Sequence, residues 1–302
     1  MLRPDAPVIF SSPRALARAS IGGLRMRLTC GASIIALVVS LSSTVFAQWP
    51  KYTTPNVPRL ANGGVNLDAP TPRAADGKPD LSGQWGRPPG GARGANAVPP
   101  AQPPGTPPLA TFFDVGAGFP GGLPFQPWAA ELKKQRNNAN SKDNPDALCL
   151  PMGHMQFHMH GQPRLMIQQP TLVTILYEAN YGQRFIHTDG RPLPAQGEPQ
   201  PWWYGYTVGR WEGDTLVTQT NNLRDEGWLD VRGSPLTDQA VITERYRRPS
   251  FGRLEIDITI DDPKAYTKPF TVRVNQQIQV DSDMIEFVCN ENQQFRRRVK
   301  ID

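Results

Sequence analysis

The chain has 302 residues, 38% of them hydrophobic, and a formal net charge of +5. That is material for one good-sized domain with appendages, not for two large cores. The positive balance is mild, lies largely in the N-terminus and in "RRRVK" near the end, and is not interleaved with aromatics, which argues against a nucleic-acid face.

At the N-terminus, Arg25 and Arg27 precede the apolar run "CGASIIALVVSLSSTVFA", which closes on Val45-Phe46-Ala47, a small-x-small pattern. This reads as a secretory signal peptide over residues 1–47 with cleavage after Ala47, and it places the protein in the periplasm or outside the cell. The run is barely long enough for a membrane span, and a Pro-rich polar segment follows it. Residues 1–25 are unlike a signal n-region, so Met26 competes with Met1 as the start. Cys30 precedes the apolar core, the wrong place for a lipid-modified cysteine. The mature chain keeps Cys149 and Cys289, and in an oxidising compartment such a pair is expected to form a disulfide rather than a reactive centre.

Residues 48–126 form a Pro/Gly-rich segment; from Pro50 to Pro127 the chain carries seventeen of its 32 prolines. Residues 87–110 read as a polyproline-type linker or surface loop. Within the segment, "PDLSGQW" looks ordered, with Leu81 and Trp85 placed to dock on the main domain. A helix is predicted over 127–140, with Pro127 at an early position and basic residues toward its end.

From Cys149 to the C-terminus (149–302) the chain turns to short alternating segments separated by turn signals. Strands are predicted at 164–168, 172–178, 183–188, 203–211, 215–220, 241–248, 253–260, 270–279 and 284–290. In "RLEIDITI", Leu254, Ile256, Ile258 and Ile260 share one face, while Arg253, Glu255, Asp257 and Thr259 share the other. The turns between strands are short enough to join antiparallel neighbours. The fold class expected is mainly β: an antiparallel up-and-down barrel, with a β-sandwich as the alternative.

Several strings in this region occur together: "RFIHTDGRPLP", "YGYTVGRWEGDTLVTQT", "ITERYRR" and "ITIDDPKAYTKPF", along with "PDLSGQW", "PWAAELKKQR" and "CLPMG" upstream. As a set they resemble an uncharacterised family of exported bacterial proteins and cover most of the mature chain. By fold analogy the resemblance implies a lipocalin-like barrel; it implies no reaction.

Two kinds of site follow from the strand motifs. Asp189, Arg191, Glu212 and Asp214, with Glu244 and Arg245, could converge at one barrel mouth, where a carboxylate acts as general acid or base and arginine stabilises developing charge. The competing reading is that Asp189-Gly190-Arg191 and Glu212-Gly213-Asp214 are turns. Glu244 and Arg245 are neighbours on one strand, so at most one of them faces the interior. The aromatics Trp202, Trp203, Tyr204, Tyr206, Trp211 and Trp228 could line a pocket for a sugar or a flat apolar molecule, or could simply pack the strands.

The stretch "CLPMGHMQFHMHGQP" places His154, His158 and His160 among three methionines. His154 and His158 lie one helical turn apart, whereas His158 and His160 share a face only in an extended chain. With His187 as a fourth ligand the set would suit copper or zinc, although no zinc-enzyme spacing is present. In the resembling family this segment varies, so no family-wide metal is implied. Asp261-Asp262 does not continue into a calcium loop, and Ser234 and Ser250 have no nucleophile context.

Three functional readings follow. The first is a monomeric barrel binding a small apolar or glycosidic ligand, which requires no cofactor. The second is a hydrolase or isomerase using the carboxylates and Arg191. The third is a copper or zinc site in the His/Met-rich loop.

Overall fold

The computed structural model describes residues 52–90, 94, 96–197 and 201–289. The expected signal peptide, both possible start codons and the "RRRVK" end lie outside them.

Eight of the nine predicted strands form, and the registers follow the hydrophobic alternation. They are β2 (Arg164–Gln169), β3 (Leu172–Tyr177), β4 (Gln183–His187), β5 (Tyr206–Glu212), β6 (Thr215–Asn221), β9 (Val241–Ser250), β10 (Arg253–Asp261) and β11 (Phe270–Ile278). On β10, Leu254, Ile256, Ile258 and Ile260 are all buried. A short ribbon, β7 (Gly227–Trp228) with β8 (Pro235–Leu236), sits between β6 and β9 in sequence. The predicted helix spans Pro127–Asn138 (α1), and a second, α2, spans His154–Met159.

With a short strand β1 at Gly83–Gly86, the sheet closes in the order β1-β11-β10-β9-β6-β5-β4-β3-β2, which confirms a closed barrel rather than a sandwich. Its ninth strand is β1 (Gly83–Gly86), contributed by "PDLSGQW" from the Pro-rich segment; it pairs with both β11 and β2. The expectation of a final strand at 284–290 is corrected: residues 282–288 have no strand structure. The reason is that β1 pairs along the free side of β11, joining Trp85 to Ile278 and Gly86 to Gln277, so that edge is already used.

Nine is an odd number, and a closed ring of nine strands cannot alternate direction all the way round. At least one neighbouring pair must be parallel. That pair is β4–β5, and it is held by only two residue pairs, Ile186–Thr207 and His187–Val208. The up-and-down expectation is corrected to this extent: the barrel is mixed, though mostly antiparallel. A parallel connection needs a long crossover of a dozen residues or more, and eighteen residues of sequence separate His187 from Tyr206.

Two further ties hold the Pro-rich segment to the barrel. Leu109 bridges to Arg273 on β11, and Leu81 N donates to Gln168 Oε1 of β2 at 2.9 Å beside the fully buried Trp85. Cys149 and Cys289 form a disulfide with a Cα–Cα distance of 5.6 Å across 140 residues of sequence. No helix among the described residues is long and apolar enough to cross a membrane.

Candidate functional site

α2 packs within the ring of strands, in contact with β2, β3, β4, β9 and β11. All six of its residues are buried, because the element is apolar or aromatic on nearly every side and reaches into a ring of strands. Gly153, just ahead of it, must lack a side chain: a Cβ there would meet Trp228 O at 1.8 Å. Phe157 stacks on Tyr177 of β3, with ring centroids 4.3 Å apart. At the C-terminal end of the helix, the carbonyl of His158 accepts from Arg164 of β2 (3.0 Å) and Gln276 of β11 (2.6 Å). A cation at a helix C-terminus is also the favourable sign for the dipole.

This seating aims His154 and His158, one turn apart, at Glu244 of β9. His158 Nε2 lies 2.6 Å from Glu244 Oε1, and His154 Nε2 lies 3.3 Å from the same oxygen. Arg184 of β4 donates to both carboxylate oxygens, through Nη2 to Oε2 at 2.6 Å and Nη1 to Oε1 at 3.2 Å. The hydroxyl of Thr218 donates to Oε2 (3.0 Å) and that of Tyr246 to Oε1 (2.9 Å). His154, His158, Arg164, Arg184, Thr218, Glu244 and Tyr246 are all at most 2% exposed.

The electrostatics follow from burial and pairing. Burial alone would raise Glu244, but Arg184 and the two histidines outweigh it and hold the carboxyl well below its usual range. Burial, reinforced by the charge of Arg184, lowers His154. Burial takes His158 down to about 4 despite its bond to Glu244, and Arg164 down to about 10. At neutral pH the cluster therefore holds one carboxylate, two guanidinium groups and two uncharged imidazoles. Several of its buried polar atoms make no hydrogen bond: both ring nitrogens of His154, Nδ1 of His158, Nε and Nη2 of Arg164, Nε of Arg184 and the hydroxyl of Tyr177. So many unpartnered groups in one place are unusual for a purely structural interior.

Beside this cluster, where β4 and β5 part, a cleft of about 480 Å³ opens in the barrel wall. Its lining includes Arg184, Phe185, His187, Trp202, Trp203, Tyr204, Tyr206 and Thr207. Tyr206 is sandwiched between His187 and Trp202, at centroid distances of 5.2 and 5.5 Å. Tyr204 faces Phe157 of α2 edge-on at 5.0 Å, so the cleft and the helix share a wall.

The expected site residues fall in different places. Trp203, Tyr204 and Tyr206 line the cleft. Trp211 packs partly against the core instead, and Trp228 is buried beneath the Arg136 guanidinium at 4.3 Å. Glu244 points inward and Arg245 outward to Glu212, as strand alternation requires. Among the proposed metal ligands, His154 and His158 meet at Glu244. The ring of His160 packs against Phe112, its Nδ1 accepting from Gln162 N, while His187 stacks in the cleft.

The proposed acid–base residues sit in exposed ion pairs. Asp189 pairs with Arg191 at 2.6 Å, Glu212 with Arg210 and Arg245, and Asp214 with Arg73. Gly190 and Gly213 both take positive φ, as turn glycines do. Among the described residues no hydrogen bond or ion pair links the Asp189–Arg191 turn to the Glu212–Asp214 turn. Arg191 also reaches the cleft rim, donating to the Tyr206 hydroxyl at 3.0 Å.

Arg164, Arg184, Thr218, Tyr246 and Gln276 carry the cluster but are not singled out by motif. Their signal is phase: Arg164 alternates with Met166, Arg184 with Ile186, and Glu244 with Ile242 and Tyr246. A charge on the apolar face of a strand either points into the core or breaks the strand.

Compared with protein-family models, with curated proteins and with solved structures, the chain matches none.

Proposed function

We propose that this is an exported barrel protein that binds a small, flat, largely apolar or glycosidic molecule in the cleft between β4 and β5. The observation that carries this reading is the cleft itself, a wall of aromatic faces at the one parallel and barely paired seam of the barrel. Pockets of this size and lining are those in which proteins take up small organic ligands and sugars. The stack of Trp202, Tyr206 and His187, fastened by Arg191, presents a preformed flat surface, so little side-chain entropy is lost on binding. The disulfide supports an oxidising compartment and hence export.

Acid–base catalysis through Asp189, Glu212 and Asp214 has less support, because each is exposed and already held by arginine.

The reading is tested by following intrinsic tryptophan fluorescence while titrating the mature protein with two probes, 1-anilinonaphthalene-8-sulfonate and a p-nitrophenyl glycoside. One of them should bind saturably, and Tyr206→Ala, which removes the centre of the His187–Tyr206–Trp202 stack, should weaken it roughly 10-fold, about 1.4 kcal/mol. Saturable binding that Tyr206→Ala and Trp203→Ala leave unchanged, or no binding by either probe, would count against the cleft.

A further inference from the structure

We propose that His154, His158 and Glu244 form a binding site for one divalent transition-metal ion of the zinc or copper(II) type. The site goes beyond the ligand cleft, shares no ligand residue with it and stands or falls separately.

The geometry comes from two elements. α2 sends two imidazoles from successive turns of one face, and β9 sends a carboxylate to meet them. One ligand atom from each residue lies within 4.8 Å of the others, and these three are the one such grouping of histidine, cysteine or acidic side chains among the described residues. Zinc holds nitrogen and oxygen at roughly 2.0 Å, which sets ligand atoms about 3.3 Å apart in a tetrahedral shell. His154 Nε2 and Glu244 Oε1 already stand at 3.3 Å. His158 Nε2, at 2.6 Å from Oε1, is in hydrogen-bond contact and must move outward by well under 1 Å.

A second observation is independent of these distances. His154 is fully buried and neither of its ring nitrogens makes a well-aligned hydrogen bond; Nε2 has only its 3.3 Å approach to Glu244 Oε1. Burying an imidazole in that way costs free energy that packing alone does not return. A metal–nitrogen bond at Nε2 would satisfy it. His158 can join by moving its ring proton from Nε2 to Nδ1, which is likewise unpartnered.

The surroundings hold the ligands in place, as outer residues do in metal centres. Arg184 Nη2 and Thr218 fix Glu244 Oε2, while Oε1, which also accepts from Arg184 Nη1 and Tyr246, is turned toward the histidines; Arg184 Nη1 stands 3.3 Å from His158 Nε2. Arg164 and Gln276 grip the carbonyl of His158 and set the rotation of α2. Arg184 also adds positive charge, which works against any cation. That opposition selects for an ion bound strongly by imidazole and against magnesium or calcium, which depend on several oxygen ligands. It also makes an anionic fourth ligand favourable.

The test uses the full mature, disulfide-bonded protein, refolded from chelator-treated material in the presence of Co²⁺ so that burial does not limit access. We expect one equivalent of Co²⁺, with the visible absorption of a low-coordinate site, displaced by Zn²⁺. His154→Phe removes a ligand and, besides it, only the long 3.3 Å contact with Glu244, so it should fold with the wild-type circular dichroism spectrum and lose affinity roughly 100-fold or more. His160→Ala and His187→Ala should bind as the wild type does. X-ray absorption of the zinc-loaded wild type should show two imidazoles and a carboxylate oxygen, a readout that depends on no variant. No stoichiometric binding after refolding would overturn the proposal. So would undiminished binding in folded His154→Phe, equal loss in His160→Ala, or a zinc shell without imidazole.

Discussion

His158 Nε2 and Glu244 Oε1 meet at 2.6 Å although 86 residues separate them, and this contact joins the helix within the ring of strands to the strand that faces it. Around it, Glu244 accepts from Arg184, Thr218 and Tyr246, so one carboxylate organises side chains from β4, β6, β9 and α2.

The first prediction follows from that hub. Glu244→Gln keeps the shape but leaves the buried Arg184 guanidinium without its counter-charge. Breaking a buried pair by removing one partner costs about 3–5 kcal/mol, and urea unfolding of the variant should show a loss of that order. Replacing Arg184 by Met in the same chain should recover much of it, because the unpaired charge is then gone. A single Glu244→Gln change that shifted stability by less than about 1 kcal/mol would mean the pair is well solvated in solution.

The disulfide makes a second prediction. It closes a long loop that includes every strand of the barrel except β1. Cys149→Ser with Cys289→Ser should lower stability by about 2–5 kcal/mol. Dithiothreitol should lower the melting temperature of the wild type and leave the double variant unchanged.

A third prediction concerns pH. Burial, with the nearby charges of Arg164 and Arg87, takes His160 down to about 4 from the ordinary 6.5. The folded state therefore holds this imidazole neutral at a pH where the unfolded chain already binds a proton. Stability should be constant above about pH 7 and fall as the pH drops from 6.5 toward 4. His158 contributes in the same window. His160→Phe keeps a ring against Phe112 and removes one of these protons. Denaturant unfolding between pH 4.5 and 7.5 should then show a slope shallower by up to about 1.4 kcal/mol per pH unit. Equal slopes for the two proteins would place His160 in solvent.

Much of the barrel is legible along the chain, because a strand that is wet on one side and buried on the other must alternate. Leu254 to Ile260 show this, and eight strand positions follow from the same rule. The ninth strand is not legible this way. β1 is four residues long with a glycine at each end, so it carries almost no period of its own. It is a strand because β11 and β2 leave a gap of its width. Residues 284–288, with more strand character, form no strand because β1 takes that edge.

The site divides along the same line. That His154 and His158 could meet on a helical face is contained in their spacing of four, and that only one of Glu244 and Arg245 can point inward is contained in their adjacency. The sequence alone thus determines the alternation, the turns with their glycines and the pair of cysteines suited to a disulfide. Which histidines face Glu244, and that Arg184 joins them, was decided only when the ring closed, since hydrogen bonds between side chains some 60 to 90 residues apart have no local period. The seam between β4 and β5 arises the same way, from the parity of a nine-strand ring, which is a property of closure and of no single segment.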